Sequence, residues 1–167
     1  VGLQLAAISL RGKSDPATIA RKMALGGNQW VMDYLLAEVL QGLPDAQRDF
    51  LLQTSLLERL CAPLCDALRG ETTLALPGED FLLAARRANL FLMPLDDEGI
   101  WFRYHHLFRY LLHNQLRQIY GEAEMRAMHA RASVWFASQG LLDEAIVHAL
   151  QAGEPLRAAT LVEDHVH

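Results

Sequence analysis

The sequence predicts a mainly α fold: a winged helix-turn-helix with one short β-hairpin, preceded by helices and followed by antiparallel helix pairs. Three observations predict it. Apolar residues recur at spacings of three and four along nearly the whole chain, the pattern of helices that bury one face. A compact, aromatic-rich strand pattern appears once, between Leu90 and Tyr104. Beyond Gly121, single glycines divide the chain into helix-length segments.

The first ten residues, Val1 to Leu10, read as a helix already in progress, with neither a start methionine nor a basic leader, so the chain is expected to be a fragment. Ser14-Asp15-Pro16 supplies a capping oxygen and then a proline whose missing N–H costs nothing in a first turn, so a helix starts there and ends at Gly26-Gly27. Asn28 caps the next, in which Val31, Tyr34, Leu35, Glu38 and Val39 keep helical spacing, and Gly42 ends it. Pro44 opens a helix to about Thr54 that buries Phe50 and Leu51, with Leu43 expected beside them. A short helix follows around Ala62 to Leu68, with a break at Gly70. Pro77-Gly78-Glu79-Asp80 then starts a third, ending near Ala88.

Leu90 to Leu95 and Ile100 to Tyr104 are the two strands, joined by the turn residues Asp96-Asp97-Glu98-Gly99. A helix from about His106 to Ile119 closes the unit, its apolar face assigned to Leu107, Tyr110, Leu111 and Leu112. Three helices, a hairpin and a closing helix are the parts of a winged helix-turn-helix. Helices over Glu122 to Gln139, Leu141 to Ala152 and Pro155 to about His165 follow, and Gly121, Gly140 and Gly153 are expected at left-handed helix ends. Gly140-x-x-x-x-Ala145 recurs as Gly153-x-x-x-x-Ala158, placing a small residue where two helices can approach. Repeated helix pairs of this kind form solenoids.

Composition removes other classes. With 167 residues, 51% hydrophobic and 21% charged, the chain is globular, and a net charge of −5 gives it no overall attraction for a phosphate backbone. The longest apolar run, Leu5 to Leu10, falls far short of the ~20 residues that cross a bilayer. Cys61 and Cys65 lie four apart with no disulfide framework and too few partners for structural zinc, so they read as core thiols of a cytoplasmic protein. Trp30, Trp101 and Trp135 read as core anchors. There is no glycine-rich phosphate loop, no Gly-x-Ser-x-Gly and no His-Glu-x-x-His, so no enzyme activity is expected.

Three stretches are specific enough to carry a resemblance: Ala62-Pro63-Leu64-Cys65-Asp66-Ala67-Leu68, Asn89-Leu90-Phe91-Leu92-Met93-Pro94-Leu95-Asp96, and Trp101-Phe102-Arg103-Tyr104-His105-His106-Leu107-Phe108. They resemble the large ATP-binding LuxR-type transcriptional regulators typified by the maltose regulon activator, a class of signal-transduction ATPases. Ala145 to Gly153 is similar to the opening of that family's helical repeats. The resemblance implies an ATPase module, a winged helix, a sensor array and a LuxR-type DNA-binding domain in one protein. Residues 1–42 would be the last helices of the ATPase lid, 43–120 the winged helix and 121–167 the start of a tetratricopeptide-like array. ATP or ADP with magnesium is implied for the whole protein and no cofactor for this chain. The implied partners are the ATPase module and the repeats, with DNA met through a domain outside this sequence. No membrane partner is implied, and self-association stays open.

By the same resemblance, Tyr104-His105-His106-Leu107 stands where related switch ATPases carry Met-His-Asp-Leu, whose histidine reaches the β-phosphate of bound ADP. His105 is then the phosphate-facing candidate, and His106 stands where relatives have an acid. The residues fit a structural role equally, one imidazole capping the helix and the other half-buried. Two function classes remain: a regulatory module inside a larger switch, or an autonomous DNA-binding winged helix with a helical dimerisation segment. The helix near Gly78 to Asn89 has too few exposed donors for a major-groove reader, which favours the first.

Overall fold

The computed structural model describes residues 36–70 and 77–166. The helices expected over 1–10 and 16–27, most of the one capped by Asn28, and Trp30 lie outside the described residues. Residues 36–41 are helical, and Gly42 follows as a turn. The chain then forms α1 (Asp45–Thr54), α2 (Ala62–Arg69) and α3 (Gly78–Arg87). Pro44 and Pro77 immediately precede α1 and α3 with φ of −55° and −54°, the value that their rings impose. In α3, Glu79 and Asp80 occupy the first turn and Arg86 and Arg87 the last, matching the helix dipole at both ends.

The hairpin forms where expected but is shorter. Strand β1 (Leu92–Pro94) pairs antiparallel with β2 (Phe102–Tyr104), in the register Leu92 with Tyr104 and Pro94 with Phe102. Asn89 and Phe91 have φ of 54° and 56°, so 89–91 turns out of α3 before the strand begins. At the other end Asp96 takes the Ile100 and Trp101 amides on its two carboxylate oxygens, each at 2.9 Å, and holds both residues in the turn. Leu60 adds a third, one-residue strand: its N–H and C=O exchange bonds with Phe102, both at 2.8 Å.

Helix α4 (His106–Ile119) closes the winged helix. Its buried face is Phe108, Leu111, Leu112 and Leu116, so the face assigned from sequence needs correction: Leu107 is half-buried and Tyr110 is 54% exposed. Three helices follow, α5 (Glu122–Ser138), α6 (Leu142–Gln151) and α7 (Pro155–Val166). Gly140 and Gly153 take φ of +72° and +79° at helix ends. Gly121 differs from expectation: at φ −70° it is the extended residue that starts α5. Ala145, Ala149 and Ala158 are buried, the small residues that let these helices close on one another. One apolar cluster runs unbroken from Leu36 to Leu161.

Within that cluster Phe50 stacks on Phe81 with centroids 4.7 Å apart, and the Arg69 guanidinium lies over both rings. Cys61 and Cys65 are buried free thiols, and burial pushes both pKa values up, so neither is a ready nucleophile or ligand. No described helix is long and apolar enough to cross a membrane.

Candidate functional site

The junction of β2 and α4 carries both histidines singled out from the sequence. The His105 amide donates to the Phe91 carbonyl at 2.9 Å, extending the hairpin pairing by one residue and fixing the backbone where the strand turns into the helix. Its side chain caps α4, with Nδ1 accepting from the Leu107 amide at 3.3 Å. A neutral imidazole that accepts at Nδ1 carries its proton on Nε2, so the cap leaves a donor available. Partial burial, then the neighbouring His106 and Arg103 charges, hold the His105 pKa below the ordinary imidazole value. His106 is exposed, its ring 4.3 Å from that of His105 at an interplanar angle of 33°. Capping and anion donation are therefore compatible in one residue, because they use different nitrogens.

Behind this junction Tyr104 is fully enclosed. Thr54 donates to the Phe50 carbonyl at 2.6 Å, which leaves its oxygen to accept from the Tyr104 hydroxyl at 2.8 Å. The strand that ends at His105 is thus pinned to α1.

A second set of contacts joins the winged helix to the helices after it. Arg131 of α5 donates to the Leu68 carbonyl at the end of α2 at 2.6 Å. Arg59 pairs with Glu144 of α6, and its guanidinium lies 4.6 Å from the centre of the Trp101 ring. Trp101 meets Trp135 edge to face at 6.1 Å. Two of the expected core tryptophans thus anchor the seam between the hairpin and α5.

The sequence reading did not single out Arg109, whose Nε and one amino group bind the carbonyls of Ser55, Leu56 and Leu57. Nor did it single out His129 and His148, which meet in the interior between α5 and α6. A charged residue on the semi-polar face of α4 was the available signal for Arg109. The histidines lie nineteen positions apart on different helices, and no local pattern connects them.

The exposed surface of α3 consists of Glu79, Asp80, Leu83, Arg86 and Arg87, while Phe81, Leu82 and Ala85 face the core. The Arg86 guanidinium lies 5.4 Å from the centre of the Phe102 ring. Two acids and two arginines at opposite ends leave no row of donors for base edges.

The fold and the junction define a winged-helix domain of the kind carried by large regulators. The family model for the MalT winged helix domain matches residues 36–124, and the chain belongs to that family. Serine/threonine-protein kinase PknK of Mycobacterium tuberculosis is 41% identical over 161 residues, 96% of this chain and 14% of that protein. The HTH-type transcriptional regulator MalT of Klebsiella pneumoniae is 36% identical over 164 residues, 98% of this chain and 18% of that protein. The chain therefore spans less than a fifth of these relatives.

Proposed function

We propose that the chain is the regulatory middle segment of an ATP-dependent LuxR-type regulator, passing the nucleotide state of an ATPase module to downstream helical repeats. The observation that carries this reading is the seam between the winged helix and α5–α6. Arg131 on the Leu68 carbonyl, Arg59 with Glu144 and Trp101 against Trp135 tie the two parts together, so a rotation of one carries the other. The segment is shared by a kinase, PknK, and a transcriptional regulator, MalT, which suits a regulatory module better than a catalytic one. The same reading makes the protein cytoplasmic, with DNA bound by a separate LuxR-type domain.

In the intact protein, His105 is the nucleotide-sensing residue. Its Nε2–H stands at a helix N-terminus, where partial positive charge adds to donation toward a phosphate, and His106 beside it is exposed for a second contact. These two residues would hold one edge of ADP. The nucleotide and its magnesium would supply the negative charge that the switch reads. The alternative, an autonomous DNA-binding winged helix, is weaker because the outward surface of α3 has balanced charges.

The coupling is tested by Arg59→Ala combined with Trp135→Ala in the intact regulator. ADP binding should stay within about twofold of the parent while inducer-dependent transcription falls about 10-fold, the scale of a typical coupling free energy. An unchanged inducer response would count against the reading.

A further inference from the structure

A cleft of about 1040 Å³ opens between α4 and α5, bounded at one end by the last turn of α6. On a chain of net charge −5, its lining holds three guanidinium groups, Arg109, Arg117 and Arg126, and three imidazoles, His106, His113 and His129. The single carboxylate in the lining is Glu122, which is bonded to Arg126. Arg117 has no acidic partner among the described residues. Arg109 is fixed in the wall by the carbonyls of residues 55–57. The Nδ1 atom of His113 is buried and bonds to nothing among the described residues.

We propose that this cleft binds a small, multiply charged oxyanion, one bearing clustered phosphate or carboxylate groups. Arg117 of α4 and Arg126 of α5 would grip it from opposite walls, with Arg109 and His113 at the inner end. Guanidinium pairs suit such ligands because each offers two parallel N–H donors to an oxyanion. Leu56, Leu107, Met125 and Leu150 also line the cleft, so an acidic peptide is the competing occupant that the test must separate from a small anion. The ligand would bridge the winged helix and the helical pairs across Gly121. It would therefore bias the same joint as the coupling role; His106, which also lines the cleft, is shared with the proposed nucleotide contact, whereas Arg117 and Arg126 are not.

The surroundings of the histidines add a second signature. Burial, then Arg117 and Arg109, hold His113 below the ordinary imidazole pKa. Burial, then His148 and His113, push His129 down to about 4. Behind His129, His148 is also lowered by burial and by Arg109, with Glu58 and Glu144 opposing. An anion in the cleft offsets the cationic neighbours, so binding should draw in protons and strengthen as pH falls.

Isothermal titration of the 167-residue chain with tripolyphosphate and with citrate, in low salt, tests the site. At least one should bind saturably, and Arg117→Ala/Arg126→Ala should weaken it by about 10-fold or more. Both side chains are exposed, so the double variant should keep the parent circular dichroism and Tm. Tighter tripolyphosphate assigns the phosphate class, tighter citrate the carboxylate class. A naphthalene trisulfonate, ionised throughout, should bind more tightly near about pH 6 than near about pH 8. Three results would overturn the proposal: no saturable binding of either anion, equal binding by parent and double variant, or binding of a glutamate-rich peptide where both anions fail.

Discussion

His129 of α5 and His148 of α6 meet Nδ1 to Nδ1 at 2.9 Å in the interior, and Phe136 stacks on the His148 ring with centroids 5.4 Å apart. One Nδ1–H must donate to the other nitrogen's lone pair, so the contact fails once both rings are protonated. Burial lowers both pKa values, that of His129 to about 4, against an ordinary value of 6.5 in the unfolded chain.

The first prediction follows from that difference. Above pH 6.5 the rings are neutral in both states and the stability is fully present. As pH falls from 6.5 toward 4 the unfolded chain takes up protons that the folded one refuses, so stability is lost across that window. Thermal melts should show Tm falling between those values by the equivalent of roughly 2 kcal/mol, and His129→Gln/His148→Gln should flatten the dependence. A parent Tm that rises on acidification would contradict the pairing.

The second prediction separates the two partners of the Thr54–Tyr104 bond. In Tyr104→Phe, Thr54 still donates to Phe50, so the loss should be about 0.5–1.5 kcal/mol. In Thr54→Val, the buried Tyr104 hydroxyl loses its acceptor, and the cost should be roughly 1–3 kcal/mol. Urea unfolding of the two variants checks the order; equal losses would mean that the hydroxyl finds another partner.

A third concerns Gly78, the first residue of α3. Its amide donates to Asp66 Oδ1 at 2.8 Å, and an added Cβ would lie 2.7 Å from the Ala62 carbonyl oxygen. That oxygen belongs to the backbone of α2 and cannot swing aside. Gly78→Ala should cost about 1–3 kcal/mol, although alanine is the better helix former. A stabilised variant would show that α2 and α3 separate easily.

Much of this architecture was legible from local pattern. His106–Ile119 begins and ends where its spacing indicates, and Gly140 and Gly153 mark helix ends with the left-handed backbone that glycine permits. The hairpin was overextended because apolarity continues through Leu90 and Ile100, whereas backbone turns at Asn89 and Phe91 and the Asp96 side chain take those residues out of the strands. The Leu60 bridge has no periodicity to detect, being one residue long. His105 was visible through its neighbours in sequence. The seam and the cleft were not, since Arg59 and Glu144, or Arg117 and Arg126, come together only when α4, α5 and α6 pack.

The most direct measurement is the ADP affinity of the intact regulator carrying His105→Ala, with the Leu107 amide cap restored in a parallel His105→Asn variant. If Nε2 donates a charge-assisted bond to the β-phosphate, its removal should cost about 1.5–3 kcal/mol, or ~10-fold to over 100-fold in ADP affinity. Basal transcription should rise with it, because a ligand holds the resting state only through its differential affinity. The account predicts weak ADP binding in both variants, with a parent-like Tm in His105→Asn. ADP bound as tightly by His105→Ala as by the parent would contradict it, leaving His105 as the cap of α4 and nothing more.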